Sequence, residues 1–149
     1  MQTEPIVAAF EAFVAAFNSG DPAAFASAIV EDESSFVVGT QRVASGRTEW
    51  LGNYQALVDG GLVGPDGAGL SLEVGDVRGF DEGGAGWVFA WLAFVFPDGS
   101  RLPTRATVVV RKDGDGWRVR HAHLSVAVPD EVAKDHGDGW LKDLGQSAA

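Results

Sequence analysis

The sequence predicts an α+β fold in which amphipathic helices come first and a mainly antiparallel sheet follows. Apolar residues near the N-terminus recur at helical spacing, and the second half of the chain alternates long apolar runs with glycine-rich turns. With 149 residues, the chain has room for one domain with a single core. We expect this domain to span residues 1–128 and a polar extension to span 129–149.

The composition argues against several kinds of binding partner and excludes chemistry that needs cysteine. Eleven Lys and Arg against 21 Asp and Glu give a net charge of −10, which repels phosphate backbones and anionic lipids, so we expect no nucleic acid or membrane partner. The chain has no cysteine, which excludes thiol nucleophiles and sulfur-ligated metal sites, and we expect no cofactor. Without a leader or a long apolar run, the expected location is cytoplasmic.

Two helices are predicted at the start of the chain. The apolar positions of the first have helical spacing, with Thr3 as a possible N-cap and Asn18–Gly20 as the stop. These positions are Ile6, Phe10, Phe13, Val14 and Phe17. Asp21 and Pro22 then have the residue types of an N-cap and a first helical turn, so a second helix follows.

The next segment predicts two short strands and a third helix. Ser35–Val38 and Val43–Ser45 are rich in strand formers, and Ser45 or Thr48 could cap the helix that follows. That helix contains Trp50, Leu51, Tyr54 and Leu57. Five glycines and a proline between Asp59 and Gly69 predict a mobile loop.

The second half of the chain predicts a meander of four antiparallel strands. Three turn-forming segments separate them, Asp81–Gly84, Pro97–Ser100 and Asp113–Gly116. The predicted strands are Leu70–Phe80, Gly86–Phe96, Arg101–Arg111 and Trp117–Val128. After Pro129 the sequence is polar, with a possible helical turn at Asp130–Asp135 and one isolated aromatic residue, Trp140.

The predicted strand Gly86–Phe96 is apolar on both faces. Trp87, Phe89 and Trp91 alternate with Val88, Ala90 and Leu92. An antiparallel sheet normally exposes one face to water. Because both faces are apolar here, we expect helices to cover one face and a second copy of the chain to cover the other. We therefore expect a homodimer.

Several local motifs resemble a known superfamily. They are Val38–Thr40, Gly46 before the third helix, Arg105 and Thr107 in the penultimate strand, and Asp113–Val119 leading into His121–Ser125. Together with the element order, they resemble the SnoaL-like branch of the nuclear-transport-factor-2-like superfamily over roughly residues 4 to 128. The closing strand is similar to that of the association domain of calcium/calmodulin-dependent kinase.

The resemblance implies a cone of three helices on a curved sheet, a dimer through the outer sheet face, and a pocket between the inner face and the helices. The pocket arginines of the kinase association domain match Leu92, Thr107 and Leu124 here, and Arg105 is the nearest replacement. A fold of this kind does not imply a reaction. The base of steroid isomerases matches Phe36, and the acids of epoxide hydrolases have no match beside Arg105.

The spacing of His121 and His123 places both on one face of a strand, where they could act as a general base with its helper or as two metal ligands. A third ligand is not evident, so we expect no metal. Their direction depends on the hairpin register. If Arg111 pairs with Trp117, both histidines lie on the same face of the sheet as Arg105. If the turn is one residue wider, both histidines lie on the opposite face, which is the one expected to form the dimer.

We expect a protein that binds a small, mostly apolar ligand with one polar or anionic group near Arg105. Aromatic residues that could line the pocket are Trp50, Tyr54 and Trp91. Two alternatives remain open: an isomerase, cyclase or hydrolase that uses His121 or His123, and an assembly module without chemistry.

Overall fold

The protein is an α+β cone, with N-terminal helices packed against one face of a six-stranded sheet. The computed structural model describes residues 4–40, 42–64, 69–127, 129 and 131–132. The possible cap Thr3, part of the loop Asp59–Gly69, most of the turn Asp130–Asp135 and Trp140 lie outside the described residues. The predicted fold class is confirmed.

The three predicted helices are present as α1 (Glu4–Ser19), α2 (Pro22–Ser27) and α3 (Arg47–Asp59). Asp21 caps α2 as expected, because its side chain accepts a hydrogen bond from the Ala23 N–H at 2.9 Å. The cap of α3 is instead Gly46, whose φ of 111° favours glycine. Among the described residues, no helix has the length and apolar character needed to cross a bilayer.

Six strands follow the predicted order and lie within one or two residues of the predicted bounds. They are β1 (Phe36–Val38), β2 (Val43–Ala44), β3 (Ser71–Asp81), β4 (Ala85–Val95), β5 (Arg101–Asp113) and β6 (Gly116–Val126). Their order in the sheet is β2-β1-β6-β5-β4-β3. All neighbours are antiparallel except β1 and β6, which are parallel, so the sheet is mixed.

The core lies between the helices and the inner face of the sheet. The helices contribute large aromatic and branched side chains, and β4, β5 and β6 contribute small and branched ones. The fully buried members include Ile6, Phe10, Phe25, Val88, Val108, Val110 and Val119. Burial of these side chains against the sheet is the main force that holds the helices in place.

One asparagine ties the end of α1 to the edge strand β3. The Asn18 amide donates to the Leu72 carbonyl oxygen at 2.8 Å, and its own oxygen accepts from the Leu72 N–H at 2.7 Å. The side chain therefore pairs with β3 as a neighbouring strand would. This contact blocks one position of an edge that would otherwise be open to other chains.

We predict that Asn18→Ala lowers the free energy of unfolding by about 1–3 kcal/mol, because two partly buried backbone groups of Leu72 lose their partner. Asn53→Ala is the matched control, since Asn53 is exposed on α3 and alanine is the better helix former. Urea denaturation of both variants measures the difference. Equal stability of the two variants would show that the Asn18 contacts contribute nothing.

Candidate functional site

The polar candidate residues lie on the outer face, which we define as the face of the sheet that points away from the helices. In the pairing of β4 with β5, Trp91 lies opposite Arg105 and Phe89 opposite Thr107. In the pairing of β5 with β6, Arg105 lies opposite Ser125 and Thr107 opposite His123. Directly paired residues share a face, so these six side chains form two adjacent rows on the outer face.

A β-bulge in β6 produces this arrangement. Arg111 pairs with Arg118, but Val109 pairs with His121, so Arg120 is an extra residue between the two registers. Neither register considered from the sequence includes the bulge. The structure agrees with the first register in placing Arg105 and the histidines on one face. It agrees with the second register in placing the histidines on the outer face, the face that was expected to form the dimer.

A hollow of about 250 Å³ lies along these rows, lined by Phe89, Arg105, Ala106, Thr107, His123 and Ser125. The Nε atom of Arg105 is buried and has no hydrogen-bond partner among the described residues. The ion pairs in the same part of the chain engage Arg101, Arg111 and Arg118 instead. A buried guanidinium N–H without a partner is unfavourable, and the Arg105 side chain that carries it lines the hollow.

The two histidines have different surroundings. His121 lies against the Phe36 ring with 4.1 Å between ring centroids, and its Nδ1 is 3.1 Å from the Phe36 carbonyl oxygen. His123 lines the hollow, and His121 does not. The two rings lie edge to face with 6.4 Å between their centroids, but only His123 lines the hollow, so the pair does not share that site. In the described part of the chain, no group of three or more side chains could hold a metal ion.

Exposed aromatic side chains also lie on the outer face. Trp91 is 45% exposed, and Phe36, Phe80 and Trp87 are each 38% or 39% exposed. Phe80 and Trp87 stack with 4.1 Å between ring centroids. Trp91 also lines a second hollow of about 120 Å³ beside Glu73 and Arg101.

The other ligand-site candidates lie on the opposite side of the sheet. Trp50, Tyr54 and Leu92 are buried in the core, and Leu124 is partly buried against it. Tyr54 stacks on Phe25 with 4.0 Å between ring centroids. Aromatic packing therefore occupies the region between the helices and the sheet where these side chains meet.

The structure therefore does not bring the sequence-predicted site residues together. Trp50, Tyr54, Leu92 and Leu124 belong to the inner side, and Arg105, Trp91, His121 and His123 to the outer face. Sequence reasoning did not select Phe89 for the hollow, although strand alternation groups it with Trp91. It grouped Ser125 with Arg105 only if Arg111 pairs with Trp117, and the direct pairing of Ser125 with Arg105 requires the bulge.

The acidic run Glu31–Glu33 has structural contacts. Glu31 pairs with Arg118 at 3.1 Å and Asp32 with Arg111 at 3.1 Å. Glu33 accepts a hydrogen bond from the Thr48 N–H at 3.2 Å and so caps α3. The hydrogen bond from Ser34 is the largest cause that lowers the pKa of Asp32, and Arg111 adds to it.

The family model for the SnoaL-like domain matches residues 6–129. The chain belongs to this family. No curated protein matches the chain. The resemblance stated from the motifs is therefore confirmed at the level of the family.

Solved structures of low sequence identity share the fold of this SnoaL-like chain. A proposed dehydratase of the nuclear-transport-factor-2-like family from Streptomyces avermitilis has a TM-score of 0.73 at 22% identity, over 85% of this chain and 96% of that one. A proposed calcium/calmodulin-dependent protein kinase type II association domain from Thiobacillus denitrificans has a TM-score of 0.69 at 19% identity, over 82% and 94%. At these identities the likeness concerns the fold alone.

Tyr54 gives a direct test of the inner side because it is the only tyrosine of the chain. Its hydroxyl donates toward the carbonyl oxygens of Ala16 and Phe17, at 3.1 and 2.8 Å, near the end of α1. Burial raises the pKa of this hydroxyl above its ordinary value of 10.0. The folded state therefore holds the phenol proton more tightly than the unfolded chain.

We predict that phenolate absorbance of the folded protein titrates above pH 10.0, and that of the urea-unfolded protein at the ordinary value. Stability from this group is complete below the ordinary pKa and is lost as pH rises through the raised folded pKa. Tyr54→Phe should remove the absorbance change. Identical titration midpoints in the folded and unfolded protein would contradict the buried position of the hydroxyl.

Proposed function

We propose that the protein binds a small molecule that joins an anionic group to a flat apolar body, in the hollow beside Arg105 on the outer face. One observation carries the proposal. The buried Nε of Arg105 lacks a partner among the described residues, and the Arg105 side chain lines a hollow that also contains hydroxyl, imidazole and aromatic groups.

The chemistry of the lining favours a carboxylate. The guanidinium group offers planar, paired donors that match the two oxygens of a carboxylate. Thr107 and Ser125 add hydroxyl groups on either side of Arg105, and His123 adds an imidazole. Phe89 supplies an apolar wall against which an aromatic ring of the ligand can pack.

The size of the hollow favours a small ligand. Its volume of about 250 Å³ lies below the range of about 300–1,000 Å³ that drug-sized ligands occupy. A molecule as small as benzoate matches this volume and combines the two required features. The sequence led us to expect the ligand on the inner side of the cone, but the aromatic packing there and the position of Arg105 favour the outer face.

We predict that calorimetric titration with benzoate gives saturable binding by the native chain and that Arg105→Met weakens it at least about tenfold, which is about 1.4 kcal/mol. Arg42→Met is the matched control, because Arg42 is exposed near the β1–β2 turn, outside the hollow. Benzyl alcohol, which has the ring without the charge, should bind more weakly than benzoate. Equal affinity of the native chain and Arg105→Met for benzoate would refute the assignment.

A second candidate function, assembly into a homodimer, is favoured by the exposed aromatic residues of the outer face. The row Phe36, His121, Val109, Trp87 and Phe80 crosses five strands. Such a face is roughly 20 Å wide and 35 Å long, or on the order of 700 Å². This is close to the area of about 800 Å² per partner in a standard interface.

The hydrophobic contribution to such a dimer is substantial. The four exposed aromatic residues would bury an area that contributes several kcal/mol per copy at about 25 cal/mol per Å². Association costs at least about 4 kcal/mol in lost translational and rotational freedom. A face of this kind therefore supports a homodimer of moderate affinity.

We predict a concentration-dependent equilibrium between the 15.6 kDa monomer and its dimer in sedimentation at micromolar concentration. Trp87→Glu should shift this equilibrium to the monomer, because a charge would be buried without a partner. Leu62→Glu is the control, since Leu62 is 52% exposed in the segment after α3. A native chain that stays monomeric at these concentrations would rule out assembly through the outer face.

A further inference from the structure

We propose that a second copy of this chain completes the hollow beside Arg105, so that binding of an aromatic carboxylate and pairing of two outer faces strengthen each other. This inference rests on the proposed function, because it concerns the same hollow. It adds the partner that closes the site and the dependence of assembly on the ligand.

The position of Arg105 weakens the pairing of two bare outer faces. The exposed aromatic residues lie on the same face as Arg105, so a contact that buries Trp87 and Trp91 also encloses the guanidinium. A cation enclosed without a counter-charge destabilises the contact that encloses it. The hydrophobic gain of pairing is therefore opposed at the centre of the interface.

Among the described residues, no acidic side chain forms an ion pair with Arg105. Glu73 is paired with Arg101 at 2.6 Å, and Asp32 is paired with Arg111 at 3.1 Å. Asp76 and Asp81 lie on β3, two strands away from β5, a separation of about 10 Å. His121 and His123 also face outward, and neither can carry the negative charge that Arg105 needs.

A carboxylate ligand would neutralise the Arg105 charge that otherwise weakens the pairing of the two faces. It would pair with Arg105 in each copy, and its ring would add apolar surface beside Phe89 and Trp91. In a single copy the hollow opens to solvent, and water screens the contact between the anion and Arg105. A covering copy excludes that water and strengthens the same contact.

The two effects are reciprocal, because a ligand that binds the dimer more tightly than the monomer must stabilise the dimer by the same factor. Two hollows are present in each dimer. If covering improves the affinity of each hollow about tenfold, saturating ligand tightens dimerisation roughly a hundredfold. The expected signature is therefore a large change in the dimerisation constant with little change in fold.

Sedimentation equilibrium of the native chain with benzoate, benzyl alcohol or chloride, at equal ionic strength, tests the proposal. Benzoate should tighten dimerisation roughly a hundredfold at saturation, and neither benzyl alcohol nor chloride should do so. Calorimetric titration of benzoate into dilute and concentrated protein gives the affinities of monomer and dimer separately.

Two variants identify the group responsible. Arg105→Met should dimerise without benzoate at least as tightly as the native chain, because an apolar side chain replaces the enclosed charge, and it should not respond to benzoate. Arg105→Lys keeps the charge but loses the paired donors, so its response to benzoate should be smaller than that of the native chain. Thermal melts of both variants check that the fold persists.

The outcomes separate this inference from the proposed function. If benzoate binding depends on Arg105 but the dimerisation constant does not change, the proposed function stands and the linkage is wrong. If no benzoate binding is measured at any protein concentration, both are wrong. If benzoate weakens the dimer and Arg105→Met also weakens it, a carboxylate of the partner copy holds Arg105 and the linkage is again overturned.

Discussion

The bulge at Arg120 is the constraint on which the outer face depends. Without the extra residue, the register at Arg111 and Arg118 would continue, and His121 and His123 would point into the core beneath the helices. Enclosing two imidazoles in an apolar core without partners costs several kcal/mol. The bulge avoids that cost and brings His123 and Ser125 beside Thr107 and Arg105.

The contacts around the bulge fix its position. On one side of it, Val119 pairs through its backbone with Ala28 and Val30, at 2.9 Å in each case, which anchors β6 to the end of α2. On the other side, His121 lies next to Phe36 of the parallel strand β1. The Arg120 side chain donates to the Ser34 hydroxyl at 2.6 Å. Two different neighbours thus impose two registers on β6, and the bulge accommodates both.

Local signals in the sequence were sufficient to predict the elements but not this register. Asp21 and Pro22 identify the start of α2, and Gly114, with a φ of 61°, identifies the tight turn between β5 and β6. These signals act within a few residues. The bulge depends on β1 and α2, which are about 80 to 90 residues away in the sequence, so turn chemistry and alternation could not reveal it.

The residues of the predicted ligand site lie on two different sides of the sheet, again because contacts between distant parts of the sequence decide the face of each residue. Residue type identified Arg105 as a cation in an apolar strand and Trp50 and Tyr54 as large aromatic residues, but it did not determine the face on which each would lie. On the inner side, the aromatic rings pack on one another, and the Tyr54 hydroxyl satisfies carbonyl groups of α1. The position of Arg105 on the outer face and the buried positions of Trp50 and Tyr54 both depend on their three-dimensional neighbours rather than on residue type.

The inner side of the sheet is packed and the outer face is open to solvent, and this difference decides where an anion could bind. The fold itself does not decide it, because folds of this kind support many functions. An arginine on the inner side would have to displace packed aromatic residues, whereas on the outer face it contacts a hollow that opens to solvent. Its strength as an anion site then depends on how much water surrounds it. In the proposed function, the affinity of this site therefore depends on whatever covers the outer face, and the exposed aromatic residues favour a second copy of the chain as the proposed cover.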